Sequence, residues 1–344
     1  MPLATRLSAS IDAWRLLLIT CVVFNHSFSL YNNLPEAEAA GLLAHAVNAV
    51  TRMAVPTLSV FSGYFFVQGG GAYRAVLEKK LRSLVVPFLL WNTLPCLAFI
   101  ALNEIAQPVP GLLLRNIDAH RFLEMTIAAD GTPVNGPLYF LRDLFICFVL
   151  FGPLRRWLAH PVALAAAIGV AVLNYRTDLS GALIVRNTIP LFFLVGMGWH
   201  SLFRFGPGSR REAALLGGAA VLLVGLCTLF PEEAGEGSWA ALATYLVLAR
   251  LVIALVHLWP ADRRAARRGR DYAFTIFLSH WMVLKLLLAL WRPLGLPAVT
   301  FELLAPFAAV AAGVVIRQVL DGMPVRAGWF ATGGRERSAR QLPA

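Results

Sequence analysis

The first apolar stretch of the chain contains two side chains that could bind an anion and move a proton. Arg15 and His26 lie within SIDAWRLLLITCVVFNHSF. Inserting a charged side chain at the centre of a membrane helix costs about 2.5–3.5 kcal/mol of free energy, so a charged residue there is a candidate functional residue. Their spacing of 11 residues is close to three helical turns, so both side chains share one face, about 16 Å apart along the axis. Taken alone, Arg15 could be an interfacial anchor that pairs with Asp12, three residues earlier, and His26 could be a packing histidine. The shared face favours a functional site.

The second apolar stretch adds another cation inside the membrane. It reads TRMAVPTLSVFSGYFF and carries Arg52 without an acidic residue in the same segment. Pro56 removes a backbone hydrogen bond and is predicted to kink the helix. The triplet Ser62, Gly63 and Tyr64 follows near the end of the stretch, where a glycine permits close approach of a backbone.

A basic cluster and three later residues complete the candidate set. Lys79, Lys80 and Arg82 precede the next apolar stretch. Cations at the mouth of a helix bundle suit a ligand that carries phosphate groups, although the enrichment of cations at the cytoplasmic face alone would place such a cluster there. The adjacent pair Arg142–Asp143 and the late histidine His280 lie in further apolar stretches.

These residues must be positioned by transmembrane helices, because apolar runs of about 20 residues are long enough to span a bilayer. The fold class predicted is an all-α integral membrane protein with about ten transmembrane helices, occupying residues 1–320 and followed by a short basic cytoplasmic tail, 321–344. The predicted spans are 13–31, 43–67, 84–105, 138–154, 159–175, 187–205, 213–230, 238–258, 272–291 and 298–318.

The distribution of Lys and Arg predicts the orientation of these spans. With both termini in the cytoplasm, nineteen of the 30 basic residues fall in inner segments and five in outer segments, as the preference of cations for the cytoplasmic side requires. One span more or fewer would destroy this alternation. The outer segment 106–137 is the longest loop, and long loops are often functional.

Composition excludes several other classes of protein. The chain is 58% hydrophobic and only 14% charged, with a net charge of +11. Its arginines separate apolar runs and form no continuous basic groove, which argues against nucleic acid. The four cysteines, Cys21, Cys96, Cys147 and Cys227, form no CxxC pair, so no metal site is predicted.

Five blocks of sequence, in order along nearly the whole chain, resemble the membrane acyltransferase 3 family of bacterial O-acyltransferases, in the type that lacks a soluble esterase domain. They are the stretch with Arg15 and His26, RMAVPTLSVFSGYFF with Arg52, KKLRSLVVPFLLW with Lys79 and Arg82, GPLYFLRDL with Tyr139 where the family usually has tryptophan, and DYAFTIFLSHWMVL with His280.

The resemblance implies a reaction and roles for these residues. The donor would be acyl-CoA, most often acetyl-CoA, reached from the cytoplasm as a substrate and not a permanently bound cofactor. The acceptor would be a hydroxyl of a cell-surface or lipid-linked glycan, at the inner (plasma) membrane of a bacterium. The donor site would be formed by Arg15, Ser62, Gly63, Tyr64, Lys79, Lys80 and Arg82.

The catalytic roles follow from the same resemblance. We expect His26 to be the general base, since its ordinary pKa of about 6.5 suits proton transfer, and Arg52 to stabilise the oxyanion or orient the thioester. Direct transfer and a covalent acyl-histidine both remain open. Arg142, Asp143 and His280 are candidates for binding the acceptor, or an interfacial pair and a packing histidine. The main alternative is a transporter or flippase of a glycan or lipid intermediate, because intramembrane Arg and His also mark transport pathways.

Overall fold

The computed structural model describes residues 3–32, 41–105, 117–129, 131–203, 206 and 208–333, and all of its regular elements are helical. The α-helices are α1 (Leu3–Asn32), α2 (Leu42–Thr51), α3 (Ala54–Gln68), α4 (Tyr73–Lys80), α5 (Val86–Ile105), α6 (Ala119–Ile127), α7 (Tyr139–Phe151), α8 (Pro161–Thr177), α9 (Thr188–Met197), α10 (Arg210–Leu229), α11 (Trp239–Leu258), α12 (Arg263–Trp291), α13 (Ala298–Gly322) and α14 (Val325–Thr332). A π-helical turn, Leu81–Val85, joins α4 to α5.

Helices occupy all ten predicted spans, and seven of the described segments are long and apolar enough to cross a membrane. The three shorter helices are α7, α8 and α9. Every residue of α9 is buried, as expected of a helix that is apolar on all sides and enclosed by other helices. The chain is therefore a multi-pass membrane protein, while ten spans and cytoplasmic termini stay predictions.

The second predicted span is divided into two helices by a turn. Helix α2 ends at Thr51 and α3 begins at Ala54, so Arg52 and Met53 form the junction. Pro56, which was expected to kink this span, has no N–H to donate to the carbonyl of the residue four positions earlier, Arg52. The helix is thus interrupted at Arg52, the residue whose carbonyl receives no hydrogen bond from Pro56, and Arg52 lies on a turn.

Close helix contacts fix the interior of the bundle. Helix α3 packs on α9, and side chains at Gly63 and Gly196 would overlap the carbonyls of Phe193 and Val60. Helix α1 runs along α12 and α13. Both α1 and α12 are continuous, so residues at helical spacing on each form a stripe that leads from one end of the bundle toward the other.

The last described residues return to the bundle. Helix α14, within the predicted tail, packs on α5, and the indole Nε1 of Trp91 donates to the carbonyl of Ala331 at 3.0 Å. Residues 334–344, which hold three of the four arginines of the predicted basic tail, lie outside the described residues.

Candidate active site

A cavity of about 610 Å³ lies among α1, α3, α4, α7 and α12, beside the basic cluster. This volume lies within the range of about 300–1,000 Å³ typical of small-molecule sites. Its polar and charged lining residues are Arg15, Ser62, Glu78, Lys79, Lys80, Arg82, Ser83 and Arg270. The structure therefore brings five residues of the predicted donor site around one cavity and adds Arg270, which the sequence analysis had counted only as an inner positive charge.

The π-helical turn explains how Arg82 reaches this cavity. Arg82, Ser83 and Leu84 are consecutive, and all three line it. A regular α-helix directs successive side chains about 100° apart, whereas a π turn inserts an extra residue and is frequent at functional sites. Arg15 contributes from the opposite wall, where its guanidinium pairs with Asp12 at 2.5 Å and lies 5.2 Å from the centre of the Phe65 ring.

Two helical stripes lead from the cavity to a pair of histidines. On α12, Arg270, Phe274 and Phe277 line the cavity, and His280 follows three residues after Phe277, about 4.5 Å further along the axis. On α1, Arg15 and Ile19 line the cavity, and His26 follows at the same helical spacing. The two stripes converge because α1 and α12 pack together.

The histidines face each other and share an indole neighbour. The ring centres of His26 and His280 are 5.5 Å apart, and that of Trp281 is 5.4 Å from His26. His280 is fully buried, whereas His26 is half-buried. The Nδ1 of His280 lies 2.7 Å from the carbonyl oxygen of Phe277. The pairing of His26 with His280 was not predicted.

The end of the longest loop covers this pair. Asn135 is fully buried, and its side-chain Nδ2 donates to the carbonyl of Leu278 at 2.9 Å, while its backbone N–H donates to Oδ1 of Asn92, also at 2.9 Å. A side chain at Gly136 would contact the indole of Trp281. The part of the predicted loop that follows residue 130 is thus a packed cover, whereas residues 106–116 lie outside the described residues.

Arg186 is a candidate residue that the sequence did not indicate. Its guanidinium pairs with Glu236 and lies 5.6 Å from the centre of the Tyr139 ring, and its charge acts on His26. In the sequence it was one of five outer arginines, and nothing about its spacing linked it to His26. Only the packing of the segment between α8 and α9 against α7 brings it here.

The pair Arg142–Asp143 holds that segment in place. The carboxylate of Asp143 is fully buried; one oxygen accepts from Arg142 at 3.0 Å and the other from the backbone N–H of Arg186 at 2.9 Å. Arg142 also donates to the carbonyl of Ala182 at 2.8 Å. These bonds position Arg186. Direct binding of the acceptor by Arg142 and Asp143 stays a prediction.

Three other predicted residues do not line this cavity. Arg52 has its guanidinium 6.0 Å from the centre of the Tyr245 ring and lines a small pocket of about 40 Å³. Gly63 faces α9, and Tyr64 packs on Trp199 with ring centres 4.7 Å apart. Tyr64 lines a separate cavity of about 720 Å³.

Comparisons with known proteins place the chain among acyltransferases. The sequence model of a family described as an acyltransferase domain matches residues 8–318. The succinoglycan biosynthesis protein ExoH of Rhizobium meliloti (strain 1021) is 30% identical over 332 residues, which covers 88% of this chain and 86% of that protein. No solved structure matches the chain.

Proposed function

The chain belongs to the membrane acyltransferase 3 family, and from that premise we propose that it transfers an acyl group from acyl-CoA to a hydroxyl of a cell-surface or lipid-linked glycan. Acetyl is the family expectation for the acyl group. The single observation that carries the proposal is that a cation-lined cavity and the His26–His280 pair lie along the same two packed helices, α1 and α12.

The cavity suits the donor by charge and by shape. CoA carries several phosphate groups at one end and a thioester at the end of a narrow arm. Lys79, Arg82 and Arg270 supply cations for phosphates, while Phe140, Phe274 and Phe277 form an apolar inner wall for the arm. The thioester would then lie toward His280.

His26 is the proposed base on the acceptor hydroxyl. It is the half-buried member of the pair, it lies on the side of Arg186 and Tyr139, and an imidazole is suited to proton transfer near neutral pH. The thiolate of CoA is a good leaving group, so one base suffices. Arg186, whose charge acts on His26, is a second candidate beside Arg52 for stabilising the oxyanion.

A polysaccharide is the acceptor class that the relative favours, because ExoH is named for the biosynthesis of succinoglycan. The proposed location is the inner (plasma) membrane of a bacterium, where the donor is supplied from the cytoplasm. This orientation would place the basic cluster on the cytoplasmic side and Arg186 with Glu236 on the outer side.

The test is the transfer of radiolabelled acetyl from acetyl-CoA to glycans in isolated membranes. The wild type, His26→Ala and His257→Ala are compared at matched expression; His257 bonds to its own helix at Ile253 and lies outside the cavity and the histidine pair. We expect His26→Ala to lose incorporation and His257→Ala to keep it. Incorporation that survives in His26→Ala would reject His26 as the base. No incorporation by the wild type would favour a transporter instead.

A further inference from the structure

The geometry points to His280 as a nucleophile that carries the acyl group between donor and acceptor, so that the reaction proceeds through an acyl-enzyme. This inference rests on the proposed function and deepens it. It assigns different tasks to the two histidines: His280 receives the acyl group on Nε2, and His26 activates the acceptor hydroxyl.

The hydrogen bond to Phe277 determines which nitrogen of His280 can react. A carbonyl oxygen only accepts, so Nδ1, at 2.7 Å from it, carries the proton. In the neutral ring the lone pair is then on Nε2. That atom is buried and has no hydrogen-bond partner among the described residues. A buried acceptor without a partner costs free energy, and a role for that lone pair in chemistry accounts for its retention.

The position of His280 favours the donor side. Its ring centre is 5.8 Å from that of Phe277, which lines the cavity. His280 is completely buried, so water does not compete for its lone pair, whereas His26 is half-buried. The thioester therefore meets His280 first, and the acceptor meets His26.

Trp281 supplies the complementary donor. Its indole Nε1–H is also buried without a hydrogen-bond partner among the described residues, and its ring, like that of His280, lies against His26. A preorganised N–H beside the nucleophile can stabilise the oxyanion that forms as the carbonyl is attacked. Consecutive residues of α12 thus bring a ring with a free lone pair and a ring with a free donor against His26.

The two steps balance as follows. The Nε2 lone pair of His280 forms a bond to the thioester carbon, the carbon–sulfur bond breaks, and its electron pair leaves with sulfur as the CoA thiolate. The acylated ring retains its Nδ1 proton, held by Phe277. The acceptor oxygen then attacks the acyl carbon while His26 takes the hydroxyl proton; the carbon–nitrogen bond breaks and its pair returns to Nε2. The positive charge of the proton on His26 finally balances the negative charge of the CoA thiolate.

The test separates the first half-reaction from the whole reaction. Purified protein free of glycan is incubated with acetyl-CoA and radiolabelled CoA, and label appearing in acetyl-CoA is measured. An acyl-enzyme predicts such exchange without an acceptor. We compare the wild type, His26→Ala, His257→Ala, Trp281→Phe and His280→Asn, whose amide can still donate to Phe277 and so keeps the helix contact while removing Nε2.

We expect exchange in the wild type, retention in His26→Ala and His257→Ala, and loss of both exchange and transfer in His280→Asn. Trp281→Phe should lower exchange roughly 100-fold, the usual effect of one oxyanion donor. Transfer to glycan by a wild type that shows no exchange would overturn the acyl-enzyme but leave the proposed function intact. Exchange that persists in folded His280→Asn would overturn His280 as the carrier. A wild type that shows neither exchange nor transfer would refute the proposed function and the acyl-enzyme with it.

Discussion

Replacing Lys79 and Arg82 together by alanine should weaken the binding of acyl-CoA and leave the chemical step unchanged. Both side chains are exposed at the cavity, and neither histidine of the pair lines that cavity. An interaction that is equal in the ground and transition states alters KM and not kcat. The double substitution therefore isolates the contribution of these cations to donor binding.

The size of the effect follows from the exposure of these side chains. Fully exposed ion pairs contribute about 0.2–1 kcal/mol, and hydrogen bonds to charged groups in more enclosed sites about 1.5–3 kcal/mol. A cation in a partly open cavity falls between these two cases, so we take a contribution of about 1 kcal/mol to the binding free energy for each cation. Two such contacts amount to about 2 kcal/mol, or roughly a 30-fold increase in KM, since 1.4 kcal/mol corresponds to a factor of ten.

The assay compares acetyl-CoA with acetyl-pantetheine, a donor that keeps the thioester and lacks the phosphates. The double variant should raise KM only for acetyl-CoA, and the difference should shrink as salt is added, because exposed charges are screened. Arg74→Ala is the matched control: Arg74 is also on α4, its side chain is 91% exposed, and it pairs with Glu78 without lining the cavity.

Two results would refute this reasoning. An equal increase in KM for both donors would show that the cations do not contact phosphates. A fall in kcat with KM unchanged would mean that the substitutions disturb the reacting groups, which the separation between the cluster and the histidines does not allow.

The remaining predictions address packing, positioning and topology. Gly63→Ala should destabilise the protein by about 1–3 kcal/mol in a detergent unfolding assay, because its methyl group overlaps the Phe193 carbonyl; Gly217→Ala, which meets no neighbouring atom, should not, and equal stabilities would contradict the close α3–α9 contact. Arg186→Ala should lower acetyl transfer up to about 100-fold, as a small displacement of reacting groups can do, without raising the donor KM; a raised donor KM would place Arg186 on the donor side. In a cysteine-free background, Leu179→Cys should react with an impermeant maleimide from outside and Arg210→Cys only after permeabilisation. Reaction of both from one side would mean that α9 does not cross the membrane.

Local properties of the sequence were enough to predict the helical segments and to select five residues that line one cavity. Hydropathy over about 20 residues is a property of one segment, and all ten predicted segments contain helices. Arg15 and His26 belong to one continuous helix, so their separation followed from helical geometry. Lys79 and Arg82 were recognised because clustered cations and their resemblance to family blocks are visible without a fold.

The short helices show what the composition of a single segment cannot predict, namely whether protein or lipid surrounds the helix. Helix α9 is apolar throughout because it is enclosed by protein, and a helix enclosed by protein has the same composition as one enclosed by lipid. Gly63 was expected to permit close approach of a backbone, which is confirmed, and the backbone that approaches it is that of α9.

The sequence by itself determined that this protein is a helical membrane protein, and it identified His26 and the cations, because periodicity, hydropathy and spacing act within single helices. Tertiary structure alone decided that His280 and Trp281 meet His26, that the charge of Arg186 acts on His26, and that Tyr64 lines another cavity. The physical reason is that these neighbours come from helices far apart in the chain. Their meeting depends on which helix faces pack, and the spacing within any one segment carries no information about that.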